Sequence, residues 1–277
     1  MRSKIREGLS VLSEEGPISF LRETLDYLHE TVYWSVHDSY TLVIGDTEVS
    51  FTAPNRTVVQ RNKRRFSSEQ SELADLLEEI RSEDVLFDIG ANTGLYSLFA
   101  AKRRSDANVV SFEPYPPNVR LLKRDVERNE LLNVDVRSEA LSDSTGTVEF
   151  AQPEQEDAGY GSGSIEAGSG DADSTVEVPS KVADELIANG EIPTPNLIKI
   201  DVEGAEPLVI DGLESALSNP DCRLVYCEVH RGDVEYRPSI GDFGTTLADM
   251  KTRFEEFGFE VEELQSRGTE VLLKMYK

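Results

Sequence analysis

Asp88, Gly90, Asn92 and Gly94 sit in the stretch VLFDIGANTGLYSLFA (85–100), where an apolar run meets one carboxylate and two glycines and then turns apolar again. The pattern reads as a strand end, a turn and a helix start. Gly90 lets the backbone turn tightly and approach a ligand. Gly94 would let the helix pack closely on the strand, and Asn92 is a residue type that tolerates positive φ. Such a turn normally offers backbone amides and a helix N-terminus to an anion. Asp88 at its mouth would repel that anion and suits a ligand carrying an amino group or a sulfonium. Neither the dinucleotide pattern GxGxxG nor the P-loop pattern GxxxxGK[ST] is present. The turn therefore points to S-adenosylmethionine rather than NAD or ATP.

A second acid supports this reading. Glu113 ends the next apolar run, VVSFEP, 19 residues beyond Gly94 (113 minus 94). An acid about 20 residues after a glycine turn suits the ribose hydroxyls. Farther on, Glu139 could accept from an adenine amino group, and Ala140 would let the ring lie flat. Asp201 ends the run LIKID, with Glu203 and Glu206 close behind, and Glu228 and His230 end the run CRLVYCEVH. Residues two apart on a strand share a face. Transfer of a methyl group to an alcohol needs positioning and a way to remove the hydroxyl proton. His230 titrates near neutrality when unperturbed and is the candidate base. Asp201 is the competing candidate, or holds the substrate or the methionine amino group. Asp201, Glu203, Glu228 and His230 are also an oxygen-rich cluster that could take Mg²⁺, although their spacing does not compel it.

The elements that must hold these residues are legible from residue 84 onward. Apolar strand-like runs alternate with helix-like segments: VLFDIG, then GLYSLFAAKR; NVVSFEP, then PNVRLLKRDVERNE; VDVRSEAL; NLIKIDVEG, then PLVIDGLESAL; and CRLVYCEVH. That rhythm predicts an α/β, Rossmann-like fold: a mostly parallel sheet with helices on both faces. TRFEEFGFEVEEL and TEVLLKMYK predict a helix and a C-terminal antiparallel strand pair. Residues 1–40 read as two helices broken at Gly16-Pro17, and YTLVIGDTEVSFTA as a β-hairpin around Gly45-Asp46. A helix capped by Ser68 follows, with Leu73, Leu76, Leu77 and Ile80 as its apolar stripe. The expected division is an N-terminal helical and hairpin extension over 1–67 and the Rossmann-like domain over 68–277. The Gly-, Ser- and acid-rich segment 153–175 forms a long loop, read either as a lid or as an excursion without function.

Composition narrows the function classes. The chain has 277 residues, 53 acidic against 28 basic, a formal net charge of -25. Nucleic acid is therefore a disfavoured partner. The acid is spread along the chain and Arg outnumbers Lys, as in a protein adapted to high salt, where ions screen self-repulsion. Cys222 and Cys227 have no zinc or redox spacing and read as core residues in a cytoplasmic protein. No run approaches the roughly 18 apolar residues of a membrane span. The N-terminal helices could still make peripheral membrane contact, and a homo-oligomer is compatible with the sequence.

DIGANTGLYSL, FEPYPPNVRLLKRDVERNE, EALSDSTGTVEF, GSGSI and IKIDVEGAEPLVIDGL together resemble the FkbM-type methyltransferases, over about residues 69 to 232. The resemblance implies a Rossmann-like enzyme that uses S-adenosylmethionine, typically for O-methylation of sugars and secondary metabolites. It places Asp88, Gly90 and Asn92 at the methionine side, Glu113 at the ribose, and Glu139 and Ala140 near the adenine. It does not fix the catalytic residues. The expected function is O-methylation of a glycan or other small hydroxylated acceptor. RNA or protein methylation on the same fold is one alternative, although RNA would need a basic groove, for which RNKRRF (61–66) is the sole candidate patch. RNKRRF could instead engage an anionic sugar or lipid phosphate. A non-catalytic partner subunit is the other alternative.

Overall fold

A computed structural model describes residues 37–151, 158, 175–232 and 238–277. The helices expected before residue 37, and the segment expected as a loop over 153–175 apart from residues 158 and 175, lie outside the described residues.

Seven strands form the central sheet. β3 (Val85–Ile89), β4 (Asn108–Phe112), β5 (Val134–Arg137), β9 (Leu197–Ile200) and β10 (Leu224–His230) run parallel, and β11 (Glu260–Arg267) and β12 (Glu270–Tyr276) add an antiparallel edge. The spatial order is β11-β12-β10-β9-β3-β4-β5. The chain steps outward from β3 through β4 to β5, then returns to the other side of β3. Strand order therefore reverses between β3 and β9, and ligands in such sheets bind beyond the carboxyl ends of those strands. A three-stranded sheet, β6 (Ala140–Leu141), β7 (Gly146–Ala151) and β8 (Thr175–Lys181), sits beside it. VDVRSEAL is thus two strands in two sheets, because residues 138–139 leave the ladder.

Each face of the central sheet has its own apolar layer. Val85, Phe87 and Ile89 pack on one side with α4 (Ala183–Ala188), α5 (Glu206–Asp211), α6 (Glu214–Ser218) and, after the 3₁₀ turn at Ile240–Phe243, α7 (Leu247–Glu256). Leu86, Val109 and Leu197 face the other side, toward the hairpin β1 (Ser39–Ile44) and β2 (Thr47–Thr52), α1 (Arg56–Glu79), α2 (Leu95–Arg103) and α3 (Pro116–Arg128). The two cysteines are buried free thiols in the first layer.

Helix α1 departs from expectation. It begins at Asn55, whose side chain accepts from the Val58 N–H at 3.0 Å. Ser68 lies inside the helix and donates to the Arg65 carbonyl, so it caps nothing. The helix runs unbroken across position 67. It lies against a polar row through the sheet, in which Ser111, Asp88, Lys199, Tyr226 and Lys274 are successive cross-strand partners. Lys274 pairs with Asp75 of α1 at 2.7 Å, and the Tyr226 hydroxyl donates to the same carboxylate.

Candidate active site

A cavity of about 320 Å³ opens where strand order reverses, with Gly90, Asn92, Glu113, Asp201, Glu228 and His230 in its walls. Gly90, Glu113, Asp201 and His230 end strands of the parallel sheet or begin the turns that follow them, Glu228 lies two residues before the end of β10, and Asn92 lies two residues farther along its turn, so the fold itself gathers them.

At the turn after β3, Gly90 has φ +80°, and a Cβ there would lie 1.8 Å from the Asp201 carbonyl oxygen. Only glycine allows the β3 and β9 ends to meet this closely. Asn92 takes φ 54°, as its type permits. Gly94 has φ +85°, and a Cβ there would lie 2.2 Å from Leu122 of α3. Its bareness thus serves helix-to-helix packing rather than the expected helix-to-strand contact.

The structure corrects the placement of Asp88. The residue is 2% exposed and does not line the cavity. It shares the sheet face of Leu86, not that of Ile89, so its carboxylate turns under α2. There it accepts from the Ser97 N–H at 3.0 Å and from the Ser97 hydroxyl. Burial raises its pKa, opposed by Lys199 and Ser97. Asp88 ties the turn to the first turn of α2 instead of meeting a ligand at the mouth.

Glu113 does line the cavity. One oxygen accepts from the Asn92 N–H at 2.7 Å and the other from the Tyr115 N–H at 2.8 Å. Burial pushes its pKa up to about 7, although those two N–H groups and Asn118 favour the anion. Glu139 and Ala140 stand in the same wall, Glu139 accepting from Arg137 Nε at 2.8 Å. Tyr115 and Phe150, stacked with centroids 6.4 Å apart, complete this end. Sequence reasoning missed both: Phe150 sits in β7, where an aromatic usually reads as core, and Tyr115 stands at the N-terminal cap of α3.

At the opposite end Asp201 meets two cations, Arg65 at 3.0 Å and Lys199 at 3.1 Å. Burial opposes its ionisation, yet Lys199, Arg65 and His230 hold the carboxyl well below its ordinary range. Burial and the Asp201 charge push neighbouring Glu228 up to about 7. His230 is 2% exposed, and its Nδ1 lies 2.7 Å from a Glu206 oxygen that also accepts from the Gly204 N–H. An ionised carboxylate only accepts, so Nδ1 carries the proton and donates. Nε2 faces Glu203 at 3.5 Å. Burial lowers the His230 pKa, but Glu206, Glu203 and Asp201 outweigh it and bring it to about 9.

Lys199 is a functional neighbour that sequence reasoning passed over, and Glu206, noted there only as an acid after Asp201, turns out to hold His230. A lysine inside the apolar strand LIKI was the available signal, because a buried lysine nearly always has a charged partner. Asp201, Glu203 and His230 place one ligand atom each within 4.8 Å of one another. Arg65 and Lys199 already neutralise Asp201, however, and would oppose a divalent cation there, so the donor set does not fit a metal. The cavity does fit the cofactor expected from the sequence. Gly90 lines it where the β3 and β9 ends meet, Glu113 presents two acceptor oxygens, and the remaining acids suit the cofactor's ammonium and sulfonium.

A family model described as the methyltransferase FkbM domain matches residues 88–268. Hexuronic acid methyltransferase AglP of Haloferax volcanii is 32% identical over 169 residues, covering 61% of this chain. The match spans 65% of that relative, just under two thirds of its length. The 31-O-demethyl-FK506 methyltransferase FkbM of Streptomyces tacrolimicus is 29% identical over 220 residues, 69% of this chain and 83% of that protein. Among solved structures, a precorrin-6y C5,15-methyltransferase of Geobacter metallireducens GS-15 superposes with a TM-score of 0.45 at 14% identity, covering 75% of this chain and 88% of that one.

Proposed function

The chain belongs to the FkbM methyltransferase domain family, and we propose that it moves the methyl group of S-adenosylmethionine onto a hydroxyl of a sugar or other small acceptor. One observation carries this reading. A single cavity joins a ribose-compatible acid, Glu113, to a carboxylate-held histidine, His230, across the point where strand order reverses. The sugar acceptor draws support from the Haloferax relative, named for hexuronic acid. That relative's source also accords with the salt-adapted composition.

Glu113 is the ribose ligand in this account. Each of its oxygens accepts one backbone N–H, and with the Asn118 side chain also bonded to the carboxylate, acceptor capacity remains for a ribose hydroxyl. Tyr115, Phe150, Glu139 and Ala140 form the adenine end. The Gly90–Asn92 turn, braced from behind by Asp88, receives the methionine end beside Asp201. When bound, the cofactor would supply an electrophilic methyl group and the leaving sulfur that keeps the carbon–sulfur electron pair. His230 Nε2 takes the proton of the acceptor hydroxyl as the oxygen attacks that carbon. Glu206 is a positioning residue, since it fixes the ring through Nδ1 and leaves Nε2 to face the cavity. A positive charge next to Asp201 also works against the imidazolium, so a loaded site frees Nε2 more readily than an empty one.

Two variants test these roles. Glu113→Gln replaces one acceptor oxygen with an amide that faces an N–H. Hydrogen bonds to charged groups are worth about 1.5–3 kcal/mol, so S-adenosylhomocysteine affinity falls roughly 10- to 100-fold in calorimetry. Unchanged affinity would remove Glu113 from the site. Glu206→Gln removes the largest cause of the raised His230 pKa, so the rise of turnover with pH moves to lower pH. A merely structural Glu206 would lower turnover at every pH without moving the profile.

A further inference from the structure

Helix α1 turns a basic edge into the cavity. Arg61, Arg64, Arg65 and Ser68 recur at three- and four-residue spacing, and all four line it. Two of the cavity's guanidinium groups are committed to the protein: Arg65 to Glu69 and Asp201, and Arg267 of β11 to Glu72. Arg61 reaches the Ala158 carbonyl at 3.4 Å. Arg64 differs. It is exposed, and no described carboxylate lies within ion-pair distance of it, in a chain where acids outnumber bases by 25 (53 minus 28).

With carboxylates in such excess, a cavity-lining guanidinium left without one is available to a ligand's anion. The cofactor's methionine end carries a carboxylate beside its ammonium and sulfonium, but that end is seated next to Asp201, where Arg65 stands, so an anion at Arg64 belongs to the acceptor. Arginine suits that task, because its planar fork binds a carboxylate or phosphate through two parallel hydrogen bonds. At molar salt the Debye length shrinks to about 3 Å, and long-range attraction no longer discriminates between acceptors. A contact of this bidentate kind still does.

We propose that the acceptor carries an oxyanion, a carboxylate or a phosphate, which Arg64 receives at the α1 wall with Arg61 beside it. Arg64 is then a specificity-determining residue for acidic acceptors. The inference rests on the reading of the cavity as a methyl-transfer site.

The test is a calorimetric titration of the full chain, loaded with S-adenosylhomocysteine in molar KCl, with glucuronate, glucose 6-phosphate and glucose. Glucuronate or glucose 6-phosphate binds saturably, and the better of the two identifies the oxyanion. Glucose binds at least about tenfold more weakly than that acid. Arg64→Gln weakens the favoured acid roughly 10- to 100-fold and leaves S-adenosylhomocysteine affinity unchanged, while Arg64→Lys restores it only in part. Glucose binding as well as the acids, no binding of either acid, or an Arg64→Gln protein with wild-type acid affinity would each overturn the proposal. Failure of S-adenosylhomocysteine itself to bind counts instead against the methyl-transfer reading on which it rests.

Discussion

Gly90→Ala is expected to bind neither S-adenosylmethionine nor S-adenosylhomocysteine and to unfold at clearly lower denaturant concentration than the wild type. Two independent effects add. The left-handed backbone at φ +80° costs an alanine about 1–2 kcal/mol. The new Cβ would also fall 1.8 Å from the Asp201 carbonyl oxygen and 2.8 Å from its carbon. Neither partner can yield cheaply. The Gly90 N–H is bonded to the Phe112 carbonyl and the Asp201 N–H to the Ile89 carbonyl, each at 3.0 Å. Overpacking of this kind costs a further ~1–3 kcal/mol. Relief by moving the end of β9 displaces Asp201, and with it the methyl-bearing end of the site. Gly45→Ala is the comparison. Gly45 has φ +57° and nothing within 4 Å of an added Cβ, so that variant carries the backbone strain without the clash. It should lose a little stability and keep its cofactor affinity. Equal behaviour of the two variants in denaturation and calorimetry would mean that the contact between Gly90 and Asp201 is not what shapes the site.

The second large effect lies at His230. Its folded pKa, about 9, stands above its ordinary 6.5. Below pH 6.5 the ring is protonated whether the chain is folded or not, and the stabilisation from Glu206, Glu203 and Asp201 is fully present. Between pH 6.5 and 9 the folded chain still holds the proton while the unfolded chain has lost it. Stability therefore falls as pH rises through that window, by on the order of 3 kcal/mol in all. The base, by contrast, works only when unprotonated, so turnover rises as pH climbs through the same window. Stability and activity at this residue run in opposite directions. His230→Gln retains an amide that can donate to Glu206 and offers no base. Turnover should drop about 10²- to 10⁴-fold, the pH profile should flatten, and S-adenosylhomocysteine affinity should hold. If the wild-type rate is already independent of pH from 6 to 9, His230 is not the base. The acceptor oxygen would then arrive ionised, as a carboxylate does.

Much of this arrangement was legible from sequence for an identifiable reason. Strands buried on both faces give short apolar runs, and residues that end such runs gather where strand order reverses. Hence Glu113, Asp201 and His230 could be placed near one another before any coordinate was known, and the structure does line one cavity with them. The direction of a side chain at a strand end was less legible. Asp88 follows Leu86 in the pleat and turns beneath α2, whereas the motif alone put it at the mouth. The start of α1 was misread because 61–70 is charged on most of its turns, so the apolar stripe becomes visible only at Leu73. The true start is an Asn55 cap ahead of Val58 and Val59. Lys199 escaped notice because its meaning lies in two neighbours, Asp88 and Asp201, that only the β3–β9 register brings to it.

The central claim is that this cavity holds S-adenosylmethionine. Its most direct test is calorimetric titration of the full chain with S-adenosylhomocysteine in molar KCl and in dilute buffer, with NAD as the control ligand. The account predicts saturable one-site binding in high salt, lost in the Gly90→Ala variant, and no heat with NAD. A folded protein that binds no S-adenosylhomocysteine in either buffer would contradict it, and would leave the turn after β3 as architecture in a non-catalytic relative of the family.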